Sequence, residues 1–227
     1  MNNDLEKEKE MAAIEAAKLI KNEQIVGLGT GSTAFYVVKE VGRMVKAGLK
    51  IRCVPTSNKT AELASSVGIS LVDINEVELI DITIDGADEF NEQLVLIKGG
   101  GGALMREKIV ASMTKQEIII ADSTKKVETL GKFPLPIEVI PYAANFVIRE
   151  VAKLNGTGKV RIKDNLLFVT DSGNHIVDVD FGLIDDPASL ANKLNTIVGV
   201  VCHGLFIGLT KMVIMGDAQK NSTVEFM

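Results

Sequence analysis

From Gln24 to Ala121 the chain alternates short apolar runs with stretches of helical periodicity, and the turns between them carry glycines or acids. The runs Gln24–Leu28, Ile51–Val54, Ser70–Asp73, Ile80–Ile84, Leu94–Lys98 and Glu117–Ala121 are too short for helices and predict strands. Helical patterns fit between several of them, over Thr33–Ala47, Lys59–Val67 and Ala103–Thr114. An Ala-, Glu- and Lys-rich stretch, Leu5–Lys21, precedes them as a helix. Apolar strands separated by helices imply a mostly parallel sheet covered on both faces, hence an α/β, Rossmann-like domain.

The pattern changes near Lys132, where Phe133-Pro134-Leu135-Pro136 interrupts it. Beyond that break the expected elements are strand Ile137–Ile140, helix Ala143–Leu154 and strands Val160–Lys163, Leu166–Thr170 and His175–Asp180. Helix Ala188–Leu194 then begins behind Asp185-Asp186-Pro187, and Val198–Val201 closes the segment as a strand. This run predicts a small α+β unit of ferredoxin-like type. Lys211–Met215 is expected to return to the first sheet. The expected organisation is an α/β domain of residues 1–131 plus 205–227, with an α+β domain inserted at 132–204.

Composition narrows the function classes. The chain has 227 residues, 46% hydrophobic and 24% charged, enough to bury a core without disulfide or metal staples. It is too apolar for disorder, and its apolar runs fall far short of the ~20 residues of a membrane span. A net charge of −5 argues against a broad nucleic-acid surface, so an anionic ligand must be met by a local pocket. Cys53 and Cys202 stand singly in apolar contexts and are expected to be reduced, as in a cytoplasmic protein. The charged start Glu6-Lys7-Glu8-Lys9-Glu10 does not read as a secretory signal.

Four segments carry chemistry. Gly29-Thr30-Gly31-Ser32-Thr33-Ala34 joins a strand to a helix, with free amides and three hydroxyls suited to a phosphate or a polyol. It lacks the third glycine of a dinucleotide fingerprint, and Pro55-Thr56-Ser57 offers no acid for a ribose. Asp85-Gly86-Ala87-Asp88-Glu89 follows another strand, where open α/β sheets bind ligands. A capped turn would use the same residue types. Lys98-Gly99-Gly100-Gly101-Gly102 leads into a helix, and four consecutive glycines are costly unless backbone must approach a ligand. Their amides could stabilise a developing oxyanion. On that helix Ala103, Glu107 and Val110 share a face, so the Glu107 carboxylate sits between apolar neighbours, partly desolvated and suited to carrying a proton. An exposed Glu paired with a nearby Lys or Arg is the alternative. Asp122-Ser123-Thr124-Lys125-Lys126 follows a further strand and places two lysines within reach of a phosphate, or simply in solvent. The carboxylates of 85–89 could handle sugar hydroxyl protons or ligate a metal, but no His, Cys or further acid cluster has metal-ligand spacing. His175 and His203 stand apart from these motifs, which leaves a Ser-His-Asp site without support.

Together GTGSTA at 29–34, DGADE at 85–89, KGGGGALMREK at 98–108 and Lys125 resemble the type A ribose-5-phosphate isomerases. The resemblance implies interconversion of ribose 5-phosphate and ribulose 5-phosphate in the non-oxidative pentose phosphate pathway. It implies no metal and no other cofactor, a sugar phosphate as the small-molecule partner, no nucleic acid or membrane, and a cytoplasmic homodimer. Carried over residue by residue, Glu107 matches the catalytic base, while Asp85, Asp88 and Lys98 match the polar groups at the reacting end. Thr30, Ser32, Thr33 and Lys125 match sugar- and phosphate-binding positions, and Lys9 matches a phosphate-contacting lysine. The resemblance also draws Gly31, Gly86, Ala87, Gly99, Gly100 and Gly101 into the binding set. Val201–Phe206 resembles the family's return segment, whereas the sequence from Ile207 onward departs from the family pattern. Three rivals stand beside this reading, the last a plain nucleotide-binding module, for which the chain lacks the expected acid. A CoA transferase-like enzyme would form a thioester on Glu107. A non-catalytic sugar-phosphate sensor would need a DNA-binding helix-turn-helix for which the sequence leaves no room.

Overall fold

The computed structural model describes residues 2–227. The chain runs α1 (Asn2–Ala17), β1 (Ile25–Leu28), α2 (Ser32–Lys46), β2 (Arg52–Pro55), α3 (Asn58–Ser66), β3 (Ile80–Gly86), β4 (Glu89–Phe90), β5 (Leu96–Ile97), α4 (Leu104–Ser112) and β6 (Thr114–Ala121). It continues through β7 (Leu135–Val139), α5 (Ala144–Ala152), β8 (Thr157–Val160), β9 (Ile162–Lys163), β10 (Leu166–Leu167) and β11 (His175–Asp180). It ends with α6 (Pro187–Asn195), β12 (Val200–His203), β13 (Leu205–Phe206), β14 (Thr210–Asp217) and β15 (Ser222–Phe226). The chain divides into two compact units. One comprises the chain through Ala87, Arg106–Lys126 and Gly208–Met227; the other comprises Asp88–Met105 and Val127–Ile207. Both early crossings, at Ala87/Asp88 and Met105/Arg106, fall inside the motifs singled out above.

The first unit is built on a six-stranded sheet ordered β15-β14-β6-β3-β1-β2. All neighbours are parallel except β15, which pairs antiparallel with β14. The expected late strand is therefore present, as β14 beside β6. Side-chain alternation fills both faces. Cys53 joins a cluster with Val26, Leu28, Ile82, Ile84 and the inner residues of α1 and α2. Its neighbour Val54 joins Ile80 and Val110 of α4 in a second cluster. Helix α2 buries Thr33, Ala34, Val37, Val38 and Val41, the spacing of one helical face, and carries Arg43 and Lys46 in its last turn, where the helix dipole favours cations. Truncating a fully buried core residue such as Ile84 to Ala costs about 2–5 kcal/mol.

The second unit carries an antiparallel sheet ordered β12-β7-β11-β8. With α5 after β7 and α6 after β11, this is the ferredoxin-like arrangement. Its core gathers Ile137, Val139, Val147, Val151, Val177, Val179 and Leu194. A separate three-stranded sheet, β13-β5-β4, lies in the same unit.

Four expected strands come out differently. Val160–Lys163 breaks at Arg161, so Val160 ends β8 while Ile162–Lys163 forms β9 in a separate two-stranded sheet. Ser70–Asp73 reduces to a single bridge between Leu71 and Cys53, because Asp73 caps a 3-10 turn at Ile74–Glu76 and ends the extension. Leu94–Lys98 shrinks to Leu96–Ile97. The Asn91 side chain accepts from the amides of Gln93 and Val95, and Leu94 adopts φ 57, so a turn takes the front of the segment. Leu166–Thr170 shrinks to Leu166–Leu167, paired with Ile162–Lys163 across Asp164 and Asn165. Both turn residues have positive φ, as a two-residue hairpin turn demands.

Candidate active site

The strand order of the first unit reverses between β1 and β3: from β1 the sheet grows one way through β2 and the other way through β3, β6 and β14. Open α/β sheets bind ligands beyond the carboxyl ends of strands at such a switch point. Here those ends are Gly29-Thr30 after β1 and Asp85-Gly86 closing β3, with Leu28 paired to Ile84 in register. Asp85 is fully buried, and its Oδ1 accepts from the amides of Thr30 at 3.0 Å and Gly86 at 2.7 Å. A Cβ at Gly29 would lie 2.0 Å from that oxygen and 2.5 Å from the Asp85 Cα, so only glycine lets the two loops meet this closely. The next residue but one, Gly31, is the N-cap of α2; no side chain caps the helix there, which leaves a backbone cradle of the kind that takes a phosphate.

Hydroxyls fix the floor of that loop. Thr30 Oγ1 lies 2.7 Å from Thr56 Oγ1, 2.8 Å from Ser57 Oγ and 3.2 Å from Thr60 Oγ1. Thr60 Oγ1 donates to the Gly29 carbonyl at 2.9 Å, and Ser57 caps α3 by accepting from the Thr60 amide at 3.1 Å. Thr56, Ser57 and Thr60 were not among the expected site residues. The signal was present, since Ser57 stands as a helix cap behind β2, but the segment drew notice only for its missing acid.

The remaining first-unit candidates are placed as follows. Glu107 is in the first turn of α4 and 4% exposed, so of its two sequence alternatives the desolvated one is observed. Lys125 lies in the 3-10 turn Ser123–Lys125 after β6, where the Asp122 side chain accepts from the Thr124 amide. That turn is tied down by a residue the sequence did not flag. Glu8 of α1 is buried and accepts from the Ser123 amide at 2.9 Å, from Ser123 Oγ at 2.7 Å and from the Ala218 amide at 3.2 Å. Lys9 is engaged differently: its ammonium is 2.7 Å from Glu6, whose other oxygen accepts from Tyr36 Oη at 2.6 Å. The Lys9 bond first, then that of Tyr36, holds the Glu6 carboxyl below the usual carboxylate range. Ser32 is exposed and Thr33 buried at the start of α2.

In the second unit, the Asp88 carboxylate accepts from the Gly100 amide at 2.7 Å. Lys98 is 2% exposed, and its ammonium stands 5.4 Å from the centre of the Phe206 ring. Gly99 is buried, while Gly100 and Gly101 are exposed. The Gly99 and Gly100 carbonyls both accept from Arg161, a residue sequence reasoning missed. Both cysteines are free and buried, and burial pushes the Cys53 thiol up to about 12, so it stays protonated and inert. No described helix is long and apolar enough to cross a membrane.

Glycine-bearing loops meeting a buried carboxylate and a hydroxyl cluster at a switch point are the arrangement of an α/β protein with a small polar ligand site. Comparison with known proteins makes the class specific. The family described as ribose 5-phosphate isomerase A (phosphoriboisomerase A) matches residues 52–220. The chain is 48% identical over 225 residues to ribose-5-phosphate isomerase A of Parvibaculum lavamentivorans, covering 96% of this chain and 97% of that protein. Among solved structures, ribose 5-phosphate isomerase A of Methanocaldococcus jannaschii matches with a TM-score of 0.91 at 40% identity, covering 99% of this chain and all of that one. A D-ribose-5-phosphate isomerase in complex with phospho-erythronic acid matches with a TM-score of 0.92 at 39% identity over 96% of each chain. The chain belongs to the ribose 5-phosphate isomerase A family of aldose–ketose isomerases. The matched range reaches well past Ile207, so the departure noted there lies within family variation.

Proposed function

We propose that this chain interconverts D-ribose 5-phosphate and D-ribulose 5-phosphate through an enediolate, with Glu107 as the carbon-proton carrier. In the aldose-to-ketose direction Glu107 takes the proton from C2 of the open-chain sugar and returns it to C1. Asp85 moves the hydroxyl proton from O2 to O1, so two protons change place and nothing is oxidised or reduced overall. Asp88 assists ring opening or holds a hydroxyl. Lys98 and the amides of Gly99 and Gly101 stabilise the charge that develops on oxygen, while the Gly100 amide stays on Asp88 and Gly100 lines the binding set. Thr30, Gly31, Ser32, Thr33, Gly86, Ala87 and Lys125 bind sugar and phosphate, and Lys9 reaches the phosphate on leaving Glu6. The working form is a cytoplasmic homodimer.

The observation that carries this reading is the burial of the Glu107 carboxylate in the first turn of α4, in a chain whose Asp85 is fully buried at the sheet's switch point. A desolvated carboxylate exchanges protons with carbon more readily than a hydrated one. Phospho-erythronic acid supports it by chemistry, since its planar carboxylate spreads charge over two oxygens as an enediolate does.

The test incubates purified protein with ribose 5-phosphate and a chelator and follows ketose formation, alongside Glu107→Gln. The wild type should convert the sugar. The variant should lose about 10²- to 10⁴-fold in kcat while still binding phospho-erythronic acid. Equal loss of ligand binding and rate would remove Glu107 from the chemistry. Inactive, folded wild type would overturn the reading, and a thioester on Glu107 after incubation with an acyl-CoA would replace it.

A further inference from the structure

Arg161 is 13% exposed and gives its guanidinium to three residues at once. Nε donates to Asp178 Oδ2 at 2.9 Å and Nη2 to Oδ1 at 2.5 Å, a two-pronged ion pair. Nη1 donates to the Gly99 carbonyl at 2.9 Å and to the Gly100 carbonyl at 3.1 Å. The Phe168 ring stands 5.7 Å from the guanidinium carbon, and its edge occupies the place a Cβ of Gly102 would take.

One peptide plane is decisive. The Gly99 carbonyl and the Gly100 amide belong to the same peptide group, and in a trans peptide they point opposite ways. At the carbonyl end Arg161 donates at 2.9 Å beside the Gly102 amide at 3.0 Å, and Asp88 accepts from the amide end at 2.7 Å. Glycines on both sides of this peptide would let it flip at little steric cost. With its carbonyl held, the amide can point only toward Asp88. A lysine could not do this, because one ammonium cannot meet two carboxylate oxygens and two carbonyls in a plane.

We propose that Arg161, oriented by Asp178, is a positioning residue for the isomerisation: it fixes the Gly99–Gly100 peptide and, through that peptide's amide, the Asp88 carboxylate. The proposal rests on the reading that Asp88 serves the reaction.

The test measures kcat, KM and thermal midpoint for Arg161→Ala, Arg161→Lys, Asp178→Asn, Asp88→Asn and the double variant Arg161→Ala/Asp88→Asn in the full chain. Arg161→Ala should lower kcat about 10- to 100-fold, as small misplacements of reacting groups do, with KM changed less than about threefold. Added guanidinium ion should restore part of that kcat, and Arg161→Lys should stay impaired at an unchanged thermal midpoint. Because Arg161 acts through Asp88, the double variant should lose no more than Asp88→Asn alone. Losses that multiply in the double variant would overturn the proposal, as would wild-type kcat in folded Arg161→Ala and Arg161→Lys. Wild-type kcat in Asp88→Asn would instead overturn the reading of Asp88 and take the proposal with it.

Discussion

The two glycine-bearing loops, 29–31 in the first unit and 99–102 in the second, are held by different means. The first continues a strand paired on both sides within the parallel sheet, and its anchors come from the ends of neighbouring strands: Asp85 near the end of β3, and Thr56, Ser57 and Thr60 after β2. Those anchors are short side chains, mostly hydroxyls. The second loop leaves a strand of only two residues, and its anchor is a charged pair from distant sequence, Arg161 with Asp178. A loop on a central strand inherits its geometry from the sheet. A loop on a minimal strand needs an outside clamp, and a guanidinium supplies several aligned donors at once.

Alanine at one glycine in each loop tests this contrast most severely. At Gly29 the new Cβ would meet backbone as well as side chain, at 2.5 Å from the Asp85 Cα, so nothing can rotate aside. Gly29→Ala should destabilise the protein by about 1–3 kcal/mol and remove most activity, read by denaturant unfolding and kinetics on one preparation. At Gly100 the nearest atoms are the Asp88 carboxylate tips, at 2.5 and 3.0 Å, which can swing away. Gly100→Ala should therefore leave stability near wild type while lowering kcat. Equal destabilisation by both would show that the two loops are held alike. A smaller effect is expected within the hydroxyl cluster. Ser57→Ala removes the α3 cap and a partner of Thr30, and should cost about 1 kcal/mol with a rise in KM. An unchanged KM would detach the cluster from the binding loop.

The same contrast explains what could be read from the sequence. The first unit announces itself locally: each strand is an apolar run, each motif follows directly from one, and Asp85 needs only its place after Ile80–Ile84 to be found. The ferredoxin-like order was legible because α5 and α6 sit between strands of ordinary length. Arg161 was not legible, since it gains meaning only when β11 lies beside β8 and sets Asp178 opposite Lys159, two residues before Arg161, a pairing fixed by the sheet's register. Glu8 was hidden for a related reason. It sits within a charged helical run that reads as solvated, and is buried because Gly216 of β14 lets the α1 backbone approach closely. Leu94–Lys98 misled because its apolar content suggested a sheet strand, whereas the Asn91 side chain captured its amides for a turn.

A second ion pair gives the smallest expected effect and serves as the control for the clamp. Lys115 Nζ is 2.8 Å from Asp81 Oδ1, and the Ile25 amide donates to Oδ2 at 2.9 Å. The Lys115 bond first, then the Ile25 amide, holds the Asp81 carboxyl below its ordinary value. A depressed pKa contributes stability above the unfolded-state value, near 4, and that contribution fades as pH falls through the folded-state value. The side chains are 54% and 30% exposed, against 13% and 18% for Arg161 and Asp178, so water and salt screen most of this attraction. Asp81→Asn should cost no more than about 0.5 kcal/mol at neutral pH, shrink further in high salt, and leave kcat untouched. Unfolding free energies of wild type and variant should converge toward low pH, where the wild-type carboxylate is protonated. A kcat loss in Asp81→Asn as large as that in Asp178→Asn would mean that either pair merely supports the fold. A loss confined to Asp178→Asn would show that the second unit uses this half-buried charge pair to hold one peptide in place.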